Sequence, residues 1–469
     1  MKLLSHKMRC IFGLALSVSA CLPLAAQACS LQFTTPAKGI TVSTPSVSVA
    51  GTASGFANTG DAGSAVATVN GTPFFSYSGT FTTIINFLGS GSATAPLQPG
   101  ANLIQVTGSV SGCSASDSMV VYYSPPPPVA QKNGGAPIDP NCTNPVNGAT
   151  GNKFQEEIDY AEPGTGRLEF KRYSNSIYTE SRALGKGWRH TYDRQLTIAG
   201  STAYLVRPDG QAFRFTNSSG SWIADNDIKD RLAQVNLAGV PLWQFVRGDD
   251  NSAEYYDSTG RLSSIIDPQG RTLALAYNTQ GLLQSVTDSS TSRALQFAYD
   301  PKGRLATLTD PLGGVFSYQY SDTVHLTTVT YPVTSGTALR QYTYNEPAYT
   351  SGASLPDALT GITDENGDRY ASYTYDAQGR GIATEHGGGN QRYTLVYNAD
   401  GSSTVTDPLG AARTYAYQTF FGVKRKISQS QPPGAGCSAA SSAITYDANG
   451  NAATRADFNG IQTTYCSAS

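Results

Sequence analysis

Charge is scarce in this sequence. Only 14% of its 469 residues are Asp, Glu, Lys or Arg, and the formal balance is −2. Nucleic acid needs a concentrated basic face, so it is excluded as a partner, and nothing favours an anionic membrane surface. Histidine is rarer still: four residues in all, with only His190, His325 and His386 beyond the N-terminal leader. Cys-x-x-Cys is absent, as is any Cys/His spacing suited to zinc. Also missing are Gly-x-Ser-x-Gly, His-Glu-x-x-His, a Gly-Lys-Ser/Thr phosphate loop and a dinucleotide fingerprint. With no nucleophile–base pair and no cofactor cradle, the expectation is a protein that is not an enzyme and uses neither metal nor cofactor.

Long apolar runs are lacking too, except at the start. Lys2, Lys7 and Arg9 precede an apolar stretch from Ile11 to Leu22, and Pro23 leads to Ala26-Gln27-Ala28. This is the layout of a secretory signal peptide over residues 1–28, with the mature chain starting at Cys29. The stretch is too short to span a bilayer comfortably. The chain is therefore expected to be exported, either secreted or held at the cell envelope or outer surface of a bacterium. A rival reading takes Val18-Ser19-Ala20-Cys21 as a lipobox, with Cys21 as a lipid anchor. Cleavage after Ala28 leaves Cys29, Cys113, Cys142, Cys437 and Cys466. Export permits disulfides, the odd count leaves a thiol over, and Cys29 with Cys113 is the preferred pair because the two bracket one unit. Neither Cys437 nor Cys466 has a neighbour that would activate a catalytic thiol.

What the chain has in abundance is glycine and tyrosine, 48 and 27 residues, amid Thr, Val and Ser. Many short strands are expected, hence an all-β protein. Residues 29–123 read as a small β-sandwich. Val66-Ala67-Thr68-Val69 runs into the hairpin signal Asn70-Gly71, a strand of alternating residues follows Pro99-Gly100-Ala101-Asn102, and Ser118 to Tyr123 closes the unit. This stretch resembles bacterial Ig-like modules, and its expected role is a spacer or stalk, with adhesion to carbohydrate or protein as the rival. Residues 124–143 read as a linker, stiff at Pro125 to Pro128 and flexible at Asn133-Gly134-Gly135.

Residues 144–250 form a lead-in domain. Phe170, Arg172 and Ser174 alternate with Lys171, Tyr173 and Asn175 as in a strand, and Gly185 and Gly187 allow a bend that lets Trp188 plug an end of the sheet. His190 and His386 are expected to be structural. The acidic group Glu156, Glu157, Asp159 and Glu162 lacks the spaced Asp/Asn-Gly loop of a calcium site, so it is read as a solvated face.

Residues 251–469 restate one phrase: Tyr, then Asp or Asn, two spacers and Gly, often followed by Arg-Leu. Copies start at Tyr256, Tyr277, Tyr299, Tyr375, Tyr397 and Tyr446, and the first three are 21 and then 22 positions apart. Leu273-Leu275-Tyr277 and Leu295-Phe297-Tyr299 show period two, so the three side chains share one face of a strand. Asp-x-x-Gly makes a turn, and Leu262, Leu283 or Leu305 opens the return strand. Each unit is one hairpin, and stacked hairpins make an antiparallel ribbon. Asp267-Pro268-Gln269-Gly270 and its likenesses at Asp310 and Asp407 are read as second turns. Tyr349 to Pro356 and Gln429 to Ser442 read as tolerated insertions at the ribbon edges.

The run Asn144 to Lys153, the stretch Leu168 to Ser176, the string Leu184-Gly185-Lys186-Gly187-Trp188-Arg189-His190-Thr191-Tyr192 and the repeats together resemble bacterial Rhs/YD-repeat proteins over about two thirds of the chain. The resemblance implies a partial shell: in the family the ribbon winds into a hollow container around a C-terminal polypeptide, often a toxin. The longer self-cleavage signature is missing, and the last unit stops at Cys466. The expectations are an N-terminal portion without its effector, too few hairpins to wrap a cargo, and a second polypeptide that completes the shell. A surface adhesin binding glycan or protein is the alternative, and an exposed tyrosine row would favour it.

Overall fold

The computed structural model describes residues 29–54, 62–80, 92–110, 113–125, 127, 132–137, 145–321, 324–333, 336, 338–433 and 438–465. The leader, Cys21, Cys142, Cys437 and Cys466 lie outside these residues. Among the described residues no helix is long and apolar enough to cross a membrane.

The first unit is two facing sheets. One pairs Ser30–Thr35 with Ser46–Ser54 and the latter with Ala93–Pro96. The other carries Thr72–Thr80, Ala62–Val69, Gly100–Val110 and Cys113–Tyr123 in that order, with Thr41–Val42 added parallel to the last. Asn70 and Gly71 both take positive φ, which a two-residue hairpin turn with the twist of its strands requires. Leu31, Phe33, Val49, Ile104, Val106, Met119 and Val121 fill the space between the sheets. Cys29 and Cys113 form a disulfide with Cα atoms 6.0 Å apart.

The sandwich does not stand off on its proline tract as a spacer would. Val120 N–H donates to the Gln280 carbonyl at 3.0 Å and Gln280 Nε2 to Ser118 Oγ at 2.7 Å. Leu103 and Val120 bury Leu282, and Gly39 lies so close to Gly281 that a Cβ on it would meet the Gly281 carbonyl oxygen at 2.8 Å. The unit is docked on the turns of the ribbon.

The ribbon is one sheet of 25 antiparallel strands, from Gln195–Ala199 to Gln462–Thr464, each paired with its neighbours in sequence. It runs without a break past Asp250, from the lead-in domain into the repeats.

The repeat has a local mechanism. Asp257 Oδ1 accepts from the backbone of Thr259 and Arg261, Gly260 takes φ +80°, and the Arg261 side chain returns to Asp257. The same closure recurs at Asp300 with Arg304 and at Asp376 with Arg380. Each arginine then covers the next tyrosine: Arg261 over Tyr277, Arg304 over Tyr320 and Arg380 over Tyr397, at 4.4, 4.4 and 4.3 Å. The tyrosine hydroxyls reach back one unit, Tyr299 to the Leu283 carbonyl, Tyr320 to Leu305 and Tyr375 to Leu359, each at 2.8 Å. One phrase thus makes a turn and ties each hairpin to its predecessor.

Too few hairpins to wrap a cargo were expected; the ribbon nevertheless closes on part of its own chain. Asn226 donates to Asn449 across 223 residues, and Arg425 reaches Asp227 at 3.5 Å. The turn at Asp225 to Asp227 lies on the edge opposite to the YD turns, while Phe421 and Asn449 lie on the YD edge. The ribbon has therefore coiled until one edge meets the other. Strand twist of one hand, accumulated over many strands, curls the sheet. What it encloses is its own lead-in segment, a small sheet of Phe154–Ala161, Glu169–Asn175 and Trp188–His190. Phe170, Trp188, Phe297, Tyr318, Tyr342 and Tyr375 belong to one continuous core.

Candidate functional site: the enclosed interior and its seam

The plug is held by a bend that only glycine allows. Gly185 takes φ +81°, and a Cβ there would lie 2.1 Å from the Val324 carbonyl oxygen. Trp188 enters the ribbon interior rather than capping a sheet end. Its indole N–H donates to Tyr344 Oη at 2.9 Å, and its ring meets that of Tyr342 edge-on at 5.1 Å. Beside it Arg172 forms a two-pronged pair with Asp159, at 2.7 and 2.8 Å, with both side chains fully buried. Tyr342 accepts from Arg172 and Tyr318 donates to Asp159, each at 2.8 Å. Burial alone would lower the Arg172 pKa, but Asp159 and the tyrosines hold it well above its ordinary value.

The acidic group is therefore not a solvated face. Asp159 binds Arg172, buried Glu157 binds Arg340 at 2.5 Å, and Glu162 binds Arg293 at 2.8 Å, leaving only Glu156 exposed. Arg172 pairs directly with Glu157, and alternation puts Asp159 on that same side, so the buried arginine faces both carboxylates. Among the described residues no group of three or more His, Cys, Asp or Glu could hold a metal.

The histidines have structural surroundings. His190 packs on Phe170 at 5.1 Å, and burial lowers its pKa to about 4, so it is neutral. His325 bonds Asp357 at 2.9 Å, and Asp357 also takes Lys186 at 2.7 Å, which ties the insertion after Tyr344 to the lead-in segment. His386 sits at an exposed turn against Tyr370.

The seam is closed by the stretch expected to be flexible. Lys132 Nζ pairs with Asp225 and donates to the Phe421 carbonyl at 2.7 Å. Asn133 donates to the Gly422 carbonyl and accepts from the Lys424 amide, both at 2.8 Å, and Gly135 donates to Asn175 at 2.9 Å. Burial would raise the Asp225 carboxyl, but Lys132 and Arg214 hold it below its usual range. Nothing local in Lys132-Asn133-Gly134 distinguishes a latch from a hinge, because its partners lie nearly three hundred residues away.

Two clefts open, one beside the plug and one at the seam. One of about 590 Å³ lies between Glu156, Glu169 and Tyr173 of the plug and Arg207, Phe213 and Arg247 of the ribbon. Burial raises the pKa of its Asp209 and Asp230. The other, about 390 Å³, lies at the seam. The repeat tyrosines are not an exposed row: Tyr256 and Tyr375 are fully buried, and Tyr277, Tyr299, Tyr320 and Tyr344 pack against the core.

Known families match two parts of the chain. A model described as a domain of unknown function (DUF6531) covers residues 143–215, and the RHS Repeat model covers residues 256–293 and 299–338. Among solved structures the chain is similar to TcdB2-TccC3 without its hypervariable C-terminal region, at 12% identity and TM-score 0.24, covering 62% of this chain and 15% of that one. For TcdB2-TccC3-TEV the identity is 11% and the TM-score 0.22, over 63% and 16% of the two chains. For TcdB2-TccC3-Cdc42 they are 12% and 0.24, over 65% and 23%. The chain thus spans less than a quarter of each of these structures. No curated protein matches it.

Proposed function

We propose that the chain is an Rhs/YD-repeat protein with a shell-like scaffold, acting after export as a non-enzymatic container wall, with a second polypeptide completing the enclosure of a cargo chain. The observation that carries this reading is the seam. A ribbon whose Asp227 meets its own Arg425 already bounds an interior. Export is supported by the leader pattern over residues 1–28. The buried tyrosine rows favour a scaffold over a glycan-stacking adhesin, since stacking needs exposed ring faces.

The test fuses a protease-sensitive polypeptide after Ser469 and follows its digestion, with and without a co-expressed chain of further YD repeats. Protection that needs the second chain, and that is lost when Lys132→Glu and Arg425→Glu open the seam, supports a container. Equal digestion in every arm, together with strong hits on a glycan array, would replace the container by the adhesin.

A further inference from the structure

One hairpin of the ribbon reaches past its neighbours. Arg231–Leu237 pairs with Val240–Val246 along its whole length. The strand on one side meets it only at Leu232, opposite Trp222, and the strand on the other only as far as Trp243, opposite Tyr256. Residues 234–241 therefore stand as a two-stranded finger beyond both, and all of them but Val235 are exposed. A lone hairpin is marginal in water. The turn at its tip is firmly specified: Ala238 and Gly239 take φ +51° and +86°, and Asn236 Oδ1 accepts from the Gly239 amide at 2.8 Å. Val235, Leu237, Val240 and Leu242 share one face of the finger, with Leu237 46% and Val240 54% exposed.

The two edges of the finger differ. Leu237 and Val240 flank the turn and bond each other, so bonded pairs alternate from there, and Gln234 and Asn236 aim their backbone N–H and C=O groups outward. Leu232, in the same phase, gives these groups to Trp222. Among the described residues no strand lies beside Gln234 and Asn236. On the opposite edge the residue in that phase is Pro241, which has no N–H to offer. Edges are commonly guarded by charge as well, yet Leu232 to Val246 are fifteen consecutive uncharged residues. One edge is open and the other is stopped by proline.

We propose that the open edge is a self-pairing surface, through which two copies of this chain join about a two-fold axis at Val235. An antiparallel edge is its own complement: Gln234 of one copy faces Asn236 of the other, each such pair exchanging two hydrogen bonds, and Val235 faces Val235. The uncharged run removes the repulsion that keeps like edges apart, and the aliphatic face becomes continuous across four strands. Pro241 ends growth at two copies, short of a fibre. A lipid surface suits the finger less, since its open N–H and C=O groups find no partner in hydrocarbon. This goes beyond the container reading and does not depend on it.

Analytical sedimentation of the exported chain from about 1 μM to about 1 mM tests the pairing, with a reversible monomer–dimer equilibrium expected in that range. Val235→Lys and Val235→Glu each set like charges against one another at the axis. Each is expected to weaken the dimer about tenfold with an unchanged melting temperature. Mixing the two variants puts Lys against Glu, and the dimer is expected to return. Leu409→Lys, the same kind of change at an exposed turn of another hairpin, is expected to leave the equilibrium as it is. A chain monomeric at every concentration, dimers indifferent to both Val235 variants, or a mixture that stays monomeric overturns the proposal. So does a chain that remains monomeric yet co-sediments with phosphatidylcholine vesicles, which assigns the finger to a membrane surface.

Discussion

The hydroxyl of Tyr299 donates to the carbonyl oxygen of Leu283 at 2.8 Å, sixteen residues earlier in the chain. The bond lies on the edge of the YD turns and joins neighbouring hairpins, so it links units rather than atoms within a unit. Tyr299→Phe keeps the ring and removes the donor. Urea unfolding should show a loss of about 1 kcal/mol, typical of one such hydrogen bond. A change indistinguishable from zero would mean that ring packing alone joins the units.

The Arg172–Asp159 pair should behave as a buried ion pair. Asp159→Asn leaves a guanidinium in the core and is expected to cost about 3–5 kcal/mol, whereas Arg172→Met with Asp159→Leu together should cost less than the sum of the singles. Additive losses in the double-mutant cycle would show that the two side chains do not act as a pair.

His190 sets an acid limit. Its pKa is lowered to about 4 by burial, from an ordinary 6.5. Between those values the unfolded chain binds a proton that the folded one refuses, so stability rises with pH. The contribution is complete above 6.5 and is lost as pH falls toward 4, by about 3 kcal/mol at most. Thermal melts of the parent and of His190→Phe from pH 4 to pH 7 should differ in slope over this window; parallel curves would remove His190 from the acid response.

Lys153 acts at the other end. Burial lowers its pKa to about 7, with Glu157 opposing the shift, and its ammonium lies 3.9 Å from the Tyr373 ring centroid. The folded chain sheds this proton before the unfolded one does, so stability is expected to rise from pH 7 toward 10. Lys153→Met should flatten the rise, and hydrogen exchange across Tyr373 as a function of pH reads it out.

The seam predicts a local effect. Lys132→Ala removes the link to Asp225 and Phe421. Hydrogen exchange should quicken at residues 421–424 and at the 225–230 turn, with little change in the units around Tyr299. Uniform quickening along the ribbon would mean that the seam is a global rather than a local closure.

Much of this protein was legible in order along the chain. The period of the tyrosines, the Asp-x-x-Gly turns and the Leu that opens the early return strands specify the hairpins, because each depends on neighbours within one or two units. Asn70-Gly71 likewise announces its own hairpin through backbone conformation. Glu157, Asp159 and Glu162 misled for the same reason in reverse. Their partners Arg340, Arg172 and Arg293 sit on other elements, and a charge near other charges in sequence reads as solvated until the fold supplies a counter-ion.

The sequence alone therefore determined an all-β chain of tied hairpins, since turn chemistry and period-two burial act over short distances. Only the tertiary structure decided that the ribbon comes round until Asp227 meets Arg425, that Trp188 and Arg172 fill the inside, and that Asn133 latches instead of swinging. Curvature is a sum of small twists over many strands. No single unit records where the sum brings one edge against the other.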